Sequence, residues 1–364
     1  MADPVRVALV GCGRISKRHI DVIRETPALR LVGVCDIRRD RADEKAAYAG
    51  VPAFYDPVEM VQRLRPDMAS VLTESGAHVR VACAIAPHVK NLIVEKPMAL
   101  TLDDADRLID TCEHAGTRLF VVKQNRYNTP VVLLRRALLA GRFGKLVMGT
   151  VRVRWCRTQA YYDQDPWRGT WKDDGGVFAN QASHHVDLLQ WMMGPVESVQ
   201  AYSATRLVRI ETEDVGVAIL RFVSGALGII EATTAARPKD LEGSLSILGE
   251  KGAVVISGFA VNRIDTWNFA EPGEGDDAYA QASANPPDVY GFGHRAFYRD
   301  VLECIRTGRR AMLDGLEGRK SLELIIAIYQ AAATRKEVRL RYVPEHVPLG
   351  GAGRPDPGSP APGR

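Results

Sequence analysis

The chain lacks a long apolar run: no stretch approaches the ~18 residues a membrane span requires. It also lacks a C-x-x-C pair. Its six cysteines, Cys12, Cys35, Cys83, Cys112, Cys156 and Cys304, are scattered, and most lie in apolar runs. That argues against a zinc or disulfide framework and predicts no metal site. Reduced, buried thiols in a cytoplasmic protein are the expectation. An excess of one charge is missing too: 48 Lys+Arg against 44 Asp+Glu leaves a net charge of +4. Over 364 residues this is too little to argue for nucleic acid, though it favours a small anion where basic groups cluster. No signal-peptide pattern precedes the first strand pattern, and no internal repeat is visible. What remains is an ordinary soluble composition, 46% hydrophobic and 25% charged, with the length of two or three domains.

The first half alternates. An apolar run over residues 5–10 leads at once into Gly11-Cys12-Gly13-Arg14-Ile15-Ser16 and a helical pattern, and a second run over 29–35 ends in Asp36. Strand, glycine turn, helix, strand and acid is the order of a dinucleotide-binding unit. Gly11 permits the tight turn, and Gly13 lets backbone approach a pyrophosphate at the positive end of the helix. Asp36 is placed to accept hydrogen bonds from an adenosine ribose and repels a 2′-phosphate, which favours NAD. Arg38 and Arg39 follow it and leave NADP open, although both read better as solvated residues at a helix start. Further strands are expected over 68–72, 91–94 and 119–122, with helices from about His78 and from Thr101. In an open parallel sheet, ligands bind beyond the carboxyl ends of the strands. Gly11, Asp36, Thr73, Glu95-Lys96-Pro97 and Gln124 all fall there. Lys96 has two readings, a surface lysine beside a loop proline or an ammonium held near the cofactor.

The second half is organised around residues 173–187, where Gly175-Gly176 precede an apolar helical pattern that stops at Gly194-Pro195. On one helix, Asn180, His184 and Asp187 share a face. His185 lies ~100° round from His184, so only one imidazole points at a site. A strand over 146–155 puts Arg152 and Arg154 on one face and Val151, Val153 and Trp155 on the other. A polar, aromatic loop over 158–174 contains Trp167-Arg168. Six further strand-like runs between 196 and 268 are joined by short glycine turns and suggest an open, mainly antiparallel sheet. An open sheet leaves one apolar face, which association with a second subunit would cover. Helices are expected over 293–305 and 317–334, a long acidic loop over 270–290, and a disordered tail over 344–364. The expected fold is therefore α/β plus α+β: a Rossmann domain over 1–125, an α+β substrate and oligomerisation domain over 126–343, and the tail.

Together, Gly11-Cys12-Gly13-Arg14-Ile15, Glu95-Lys96-Pro97, Trp167-Arg168 and Gly175-Gly176 with His184 and Asp187 resemble the glucose–fructose oxidoreductase/inositol dehydrogenase (Gfo/Idh/MocA) family over nearly the whole chain. The resemblance implies an NAD-dependent sugar dehydrogenase with Lys96 and His184 as its catalytic pair. It also implies Trp167 and Arg168 at the nicotinamide end, and a homo-oligomer, favouring a tetramer. Many members carry aspartate four residues before the histidine; here Asn180 stands there, and an amide takes no proton. His184 is the first expectation for the base, because an unperturbed imidazole titrates near neutrality, with Lys96 on the same oxygen and the roles exchangeable.

The segments 123–128, 154–157, 180–185 and 234–240 are similar to a narrower branch. Its members oxidise C3 of UDP-2-acetamido-2-deoxy-D-glucuronate, toward 2,3-diamino uronic acids of bacterial surface polysaccharide such as lipopolysaccharide. On that resemblance Asn180 and Gln181 bind substrate. Arg154, Arg157, Arg237 and Lys239 could pair with its diphosphate and carboxylate. A dehydrogenase of a free polyol or inositol, and a non-catalytic sugar sensor, are the alternative functions.

Overall fold

The computed structural model describes residues 3–258, 260–273, 276 and 293–340. The first sheet has six strands: β1 (Val5–Val10), β2 (Leu29–Cys35), β3 (Ala53–Phe54), β4 (Met68–Val71), β5 (Asn91–Val94) and β6 (Arg118–Val121). Their spatial order is β3-β2-β1-β4-β5-β6, and every neighbouring pair is parallel. This is the doubly wound arrangement the alternation predicts. Helices α1 (Ser16–Glu25), α2 (Arg39–Ala49), α3 (Pro57–Leu64), α4 (His78–Ile85) and α5 (Leu102–Ala115) connect the strands. Parallel strands are covered on both faces, so they read as unbroken apolar runs; all residues of β4 and β5 are buried. Strand β3 spans two residues and carries no such pattern. The Thr101 side chain accepts from the Asp104 N–H at 3.1 Å and starts α5, a cap worth about 1 kcal/mol. The strand order reverses between β1 and β4, where a crevice opens at their carboxyl ends.

Helix α6 (Thr129–Leu139) leads into the second sheet. Its strands are β7 (Leu146–Arg154), β8 (Val196–Ala204), β9 (Val215–Phe222), β10 (Leu227–Thr233), β11 (Glu242–Gly249), β12 (Gly252–Ser257), β13 (Arg263–Phe269) and β14 (Val338–Arg339). They lie in the order β13-β12-β11-β7-β10-β9-β8-β14. The pair β7–β10 is parallel, and the other described pairs are antiparallel. Three further helices complete the described chain: α8 (Ser183–Met193), α9 (Gly293–Thr307) and α10 (Gly315–Thr334); a short α7 (Gln159–Tyr162) lies in the polar loop. Phe178, Leu188 and Leu189 pack with Val151 and Leu245 on the inner face of the sheet, each fully buried. Burying side chains of this size stabilises by ~1.5–3 kcal/mol each.

The last two helices bind the halves together. Phe297, Tyr298 and Val301 of α9 join Val7, Leu9 and Ile20 in the core of the first sheet. Helix α10 sends Leu322 into the other core of that sheet and Leu324, Ile325 and Ile328 into the second-sheet core. The acidic stretch 270–290 lies mostly outside the described residues, and the tail 344–364 wholly outside.

The central helix differs from its sequence pattern. Residues Val177–Gln181 form a wider turn, in which Ala182 N–H donates to the Val177 carbonyl at 2.7 Å, and α8 begins only at Ser183. Asn180 and His184 therefore come from two consecutive elements rather than one helix face. All six cysteines are free; Cys83 and Cys156 are half-buried and the other four buried.

Candidate active site

A cavity of about 750 Å³ runs from the carboxyl ends of the first sheet to the mouth of the second domain. At one end, Gly11 has φ +99°, and a Cβ there would stand 2.6 Å from the Leu72 carbonyl carbon. Only glycine fits. A Cβ on Gly13 would meet nothing within 4 Å, so the backbone of that loop faces open cavity. Asp36 is fixed at the end of β2: Cys12 N–H donates to its Oδ2 at 2.8 Å and Arg38 N–H to its Oδ1 at 2.9 Å. Arg38 pairs with Asp40 at 2.7 Å, and Arg39 lies 4.0 Å over the Tyr55 ring. Both arginines are engaged by neighbours, while a carboxylate guards the ribose position. An open glycine loop at a helix start and an acid at the next strand end fit NAD and disfavour a 2′-phosphate.

The polar loop of the second domain crosses to this crevice. Arg41 of α2 pairs with Asp165 at 2.8 Å, and the Arg14 guanidinium donates to Gln164. Arg168 donates to the Tyr161 hydroxyl at 2.8 Å and lies 4.5 Å over the Trp167 ring. Trp167 and Arg168 thereby join Gly11, Gly13, Arg14, Ile15, Asp36, Thr73, Glu95 and Gln124 in lining one cavity.

Lys96 and His184 line the same cavity, one from the turn after β5 and the other from α8. Lys96 Nζ donates to the Asn180 carbonyl at 3.0 Å and to Asn180 Oδ1 at 3.4 Å. Burial pushes the Lys96 pKa down; the carboxylates of Glu95 and Asp174 oppose this. His184 Nε2 lies 3.1 Å from Gln124 Nε2. Burial, and then the Lys96 ammonium, push His184 down to about 3. Desolvation disfavours a second cation beside the lysine, which works against the expectation of an imidazole titrating near neutrality. His185 points the other way, into the core, edge-on to Trp155 at 5.7 Å.

Residues 5–123 match the family description "Oxidoreductase family, NAD-binding Rossmann fold", and residues 135–340 match "Oxidoreductase family, C-terminal alpha/beta domain". The chain belongs to the Gfo/Idh/MocA oxidoreductase family. It is 44% identical to the WlbA dehydrogenase of Bordetella pertussis, whose crystal structure holds NADH and UDP-GlcNAcA; the likeness covers 93% of this chain and 100% of that one, with a TM-score of 0.86. The WlbA dehydrogenase of Chromobacterium violaceum, also solved with NADH and UDP-GlcNAcA, is 41% identical, with 95% and 98% covered and a TM-score of 0.88. The myo-inositol 2-dehydrogenase of Thermotoga maritima is 27% identical over 93% of this chain and 99% of its own length. The first domain is thus an NAD-binding Rossmann domain in an oxidoreductase, and no described helix is long and apolar enough to cross a membrane.

In this Gfo/Idh/MocA chain the expected substrate residues divide. Asn180, Gln181 and Arg157 lie on the cavity wall; Arg154, Arg237 and Lys239 are not among its lining residues. Strand alternation puts Arg154 beside Arg152 on the open face of the sheet, where Glu231 at 2.6 Å and Glu242 at 3.3 Å neutralise it. Arg237 donates to the carbonyls of Thr234 and Ala236, and Lys239 is exposed. Other members of the site carry little sequence signal. Asp174 is buried, receives the Gly169 N–H at 2.7 Å, and accepts from the Asn180 amide. His19 stands 3.0 Å from Glu95 Oε1 and 2.7 Å from the Tyr298 hydroxyl, with His294 of α9 3.9 Å from the same carboxylate. Burial opposes ionisation of Glu95, but these two histidines outweigh it and hold the carboxyl well below the usual range. Glu95 Oε2 in turn accepts the Lys96 N–H at 3.0 Å. Potential metal-ligand atoms of His19, Glu95 and His294 lie within 4.8 Å of one another. The close His19–Glu95 contact has hydrogen-bond length.

Proposed function

We propose that this chain oxidises the C3 hydroxyl of UDP-2-acetamido-2-deoxy-D-glucuronate to the 3-keto sugar, in the biosynthesis of bacterial surface polysaccharide. The carrying observation is that Lys96 and His184 line one cavity together with Arg157, Asn180 and Gln181. Two relatives above 40% identity that hold NADH with UDP-GlcNAcA support the same substrate class. When bound, NAD⁺ accepts the hydride leaving the carbinol carbon. The proton of that hydroxyl goes to Lys96, whose pKa burial lowers from the ordinary lysine value. Neutral His184 hydrogen-bonds the same oxygen and adds no charge. Asn180 holds Lys96 in place without competing for the proton. Arg157, 5.2 Å from the Trp155 ring, pairs through Nη1 with Asp240 at 3.0 Å and donates through Nε to Gln181, so it would meet the anionic end of the substrate through Nη2.

The test is NADH formation by the purified protein with NAD⁺. UDP-2-acetamido-2-deoxy-D-glucuronate should support turnover at least about 100-fold faster than myo-inositol, because unfilled polar contacts penalise the smaller substrate. Turnover of myo-inositol alone would make the chain a polyol dehydrogenase. Tight NAD binding with no turnover of any sugar would make it a sensor.

The chain also acts, on our reading, as a homo-oligomer with a tetramer favoured. The open face of the second sheet exposes Tyr202, Val217, Ile219 and Leu227 on adjacent strands, Ile219 to 61%. Ile219→Lys is expected to shift the light-scattering mass toward the monomer. An unchanged mass would place the contact elsewhere.

A further inference from the structure

The turn Val177–Gln181 has no side-chain cap from Gly176, yet the N–H groups of residues 176–179 are all satisfied. Gly176 N–H and Ala179 N–H donate to the Tyr329 hydroxyl oxygen, at 3.0 and 3.3 Å. Val177 N–H donates to the Glu213 carbonyl and Phe178 N–H to Glu213 Oε1, both at 3.0 Å. The Tyr329 hydroxyl donates to Glu213 Oε1 at 3.0 Å and closes the set. Helix starts leave such donors orphaned, and buried orphans are costly. Here two side chains from distant elements, the β8–β9 connection and α10, serve as one cap. The fit also explains the paired glycines: a Cβ on Gly176 would stand 2.0 Å from Glu213 Oε2.

We propose that Glu213 and Tyr329 are positioning residues for the reaction: by capping this turn they set where Asn180 meets Lys96. The proposal rests on the dehydrogenase reading, since it is that lysine whose placement matters. Neither residue is among those lining the cavity. Both are buried behind the turn, and Asn180, four residues beyond Gly176, donates its own N–H to the Gly176 carbonyl at 3.0 Å. A shift in the cap therefore moves the Asn180 carbonyl and amide that hold Lys96 Nζ.

The cap also carries a charge that changes near neutrality. Burial pushes Glu213 up to about 7, with Asp174 adding to the rise and the Phe178 N–H and Tyr329 opposing it. The adjacent carboxylates face elsewhere: Glu211 accepts the Trp171 N–H, and Asp214 those of Arg206 and Leu207. Glu213 Oε2 has no hydrogen-bond partner among the described residues. Ionised, the carboxylate is the stronger acceptor for the turn.

Three variants test this. Tyr329→Phe and Glu213→Met should lower kcat at least about tenfold, as small misplacements of a reacting group do, with the NADH dissociation constant unchanged. Glu213→Gln keeps an acceptor and should restore most of that turnover. It should also lose the change in kcat near pH 7 that the native carboxyl gives. Amide hydrogen exchange at residues 176–179 needs no substrate and should speed up about tenfold or more in Tyr329→Phe and Glu213→Met. Faster exchange with no turnover in the native protein would leave the cap standing and sink the dehydrogenase reading. Unchanged exchange, or native turnover in both Tyr329→Phe and Glu213→Met, would overturn the proposal.

Discussion

Lys96→Met is expected to lower kcat by about 10²–10⁴, the usual contribution of a positioned proton acceptor, while NADH still binds with its native dissociation constant. The cofactor half of the cavity, from Gly11 to Asp36, does not depend on this side chain, so binding and turnover should separate cleanly. Lys96→Arg decides between two roles. A guanidinium keeps the positive charge but does not deprotonate in a protein. If the lysine acts as base, arginine is as inactive as methionine; if only its charge matters, much of the rate returns. The pH profile gives an independent reading. Burial holds the Lys96 pKa below the ordinary lysine value of 10.5. The uncharged, active form therefore grows as pH rises through that lowered value, and kcat should climb on the neutral-to-alkaline side. Were His184 the base, with its pKa at about 3, the profile would show no rise assignable to the lysine. Measured in Glu213→Gln, which removes the change near pH 7 that the native carboxyl gives, a flat profile above mildly acidic pH would return the role to His184.

The cofactor half of this site is legible in the sequence because its residues sit at fixed offsets from short apolar runs. Gly11, Asp36, Thr73, Glu95 and Gln124 each follow a strand within one to three residues, and the sheet lines them up at one edge. The catalytic half is legible only as residue types. The lowering of the His184 pKa follows from burial and from Lys96, which no local pattern encodes. Arg154 shows the limit from another side. Alternation correctly puts it with Arg152, but only the side on which α8 packs decides that this face is the open one. Glu213, Tyr329 and His294 are least visible: Glu213 meets Tyr329 across 116 residues of chain, and Tyr329 meets Gly176 across 153. Each is an ordinary polar residue with no local pattern to mark it until the fold closes.

Removing Asp187 should be the most destabilising single change in the described chain. Its carboxylate is buried and accepts from Lys123 at 2.5 Å and from two nitrogens of Arg126, each at 2.7 Å. Lys123 also donates to Ser321 at 2.8 Å and to the Glu317 carbonyl at 2.6 Å, so the cluster joins the turn after β6, α8 and α10. Asp187→Ala strands two buried cations with only Glu317 left to balance them, at 3.0 Å from Arg126. Breaking a buried pair from one side costs about 3–5 kcal/mol, to be read as a fall in the urea midpoint. Burial opposes ionisation of Asp187, but Arg126 and Lys123 outweigh it and hold its pKa far below the ordinary 3.8. Its contribution is thus fully present above the unfolded value and is lost as pH falls through the folded one. On the acid side the deficit should therefore persist until strong acid, and it should shrink again as rising pH lets the stranded Lys123, which burial lowers to about 8 even beside Asp187, shed its charge. The double change Asp187→Leu with Lys123→Met should be less damaging than Asp187→Ala alone, because it removes one stranded charge together with its partner. Equal losses in the single and double variants would mean that the cluster stabilises by packing rather than by charge. His184 lies one turn before Asp187 on α8 and Gln124 follows Lys123 directly. The same cluster that holds the domains together therefore sets the contact between His184 and Gln124, and turnover should fall with stability in the single variant.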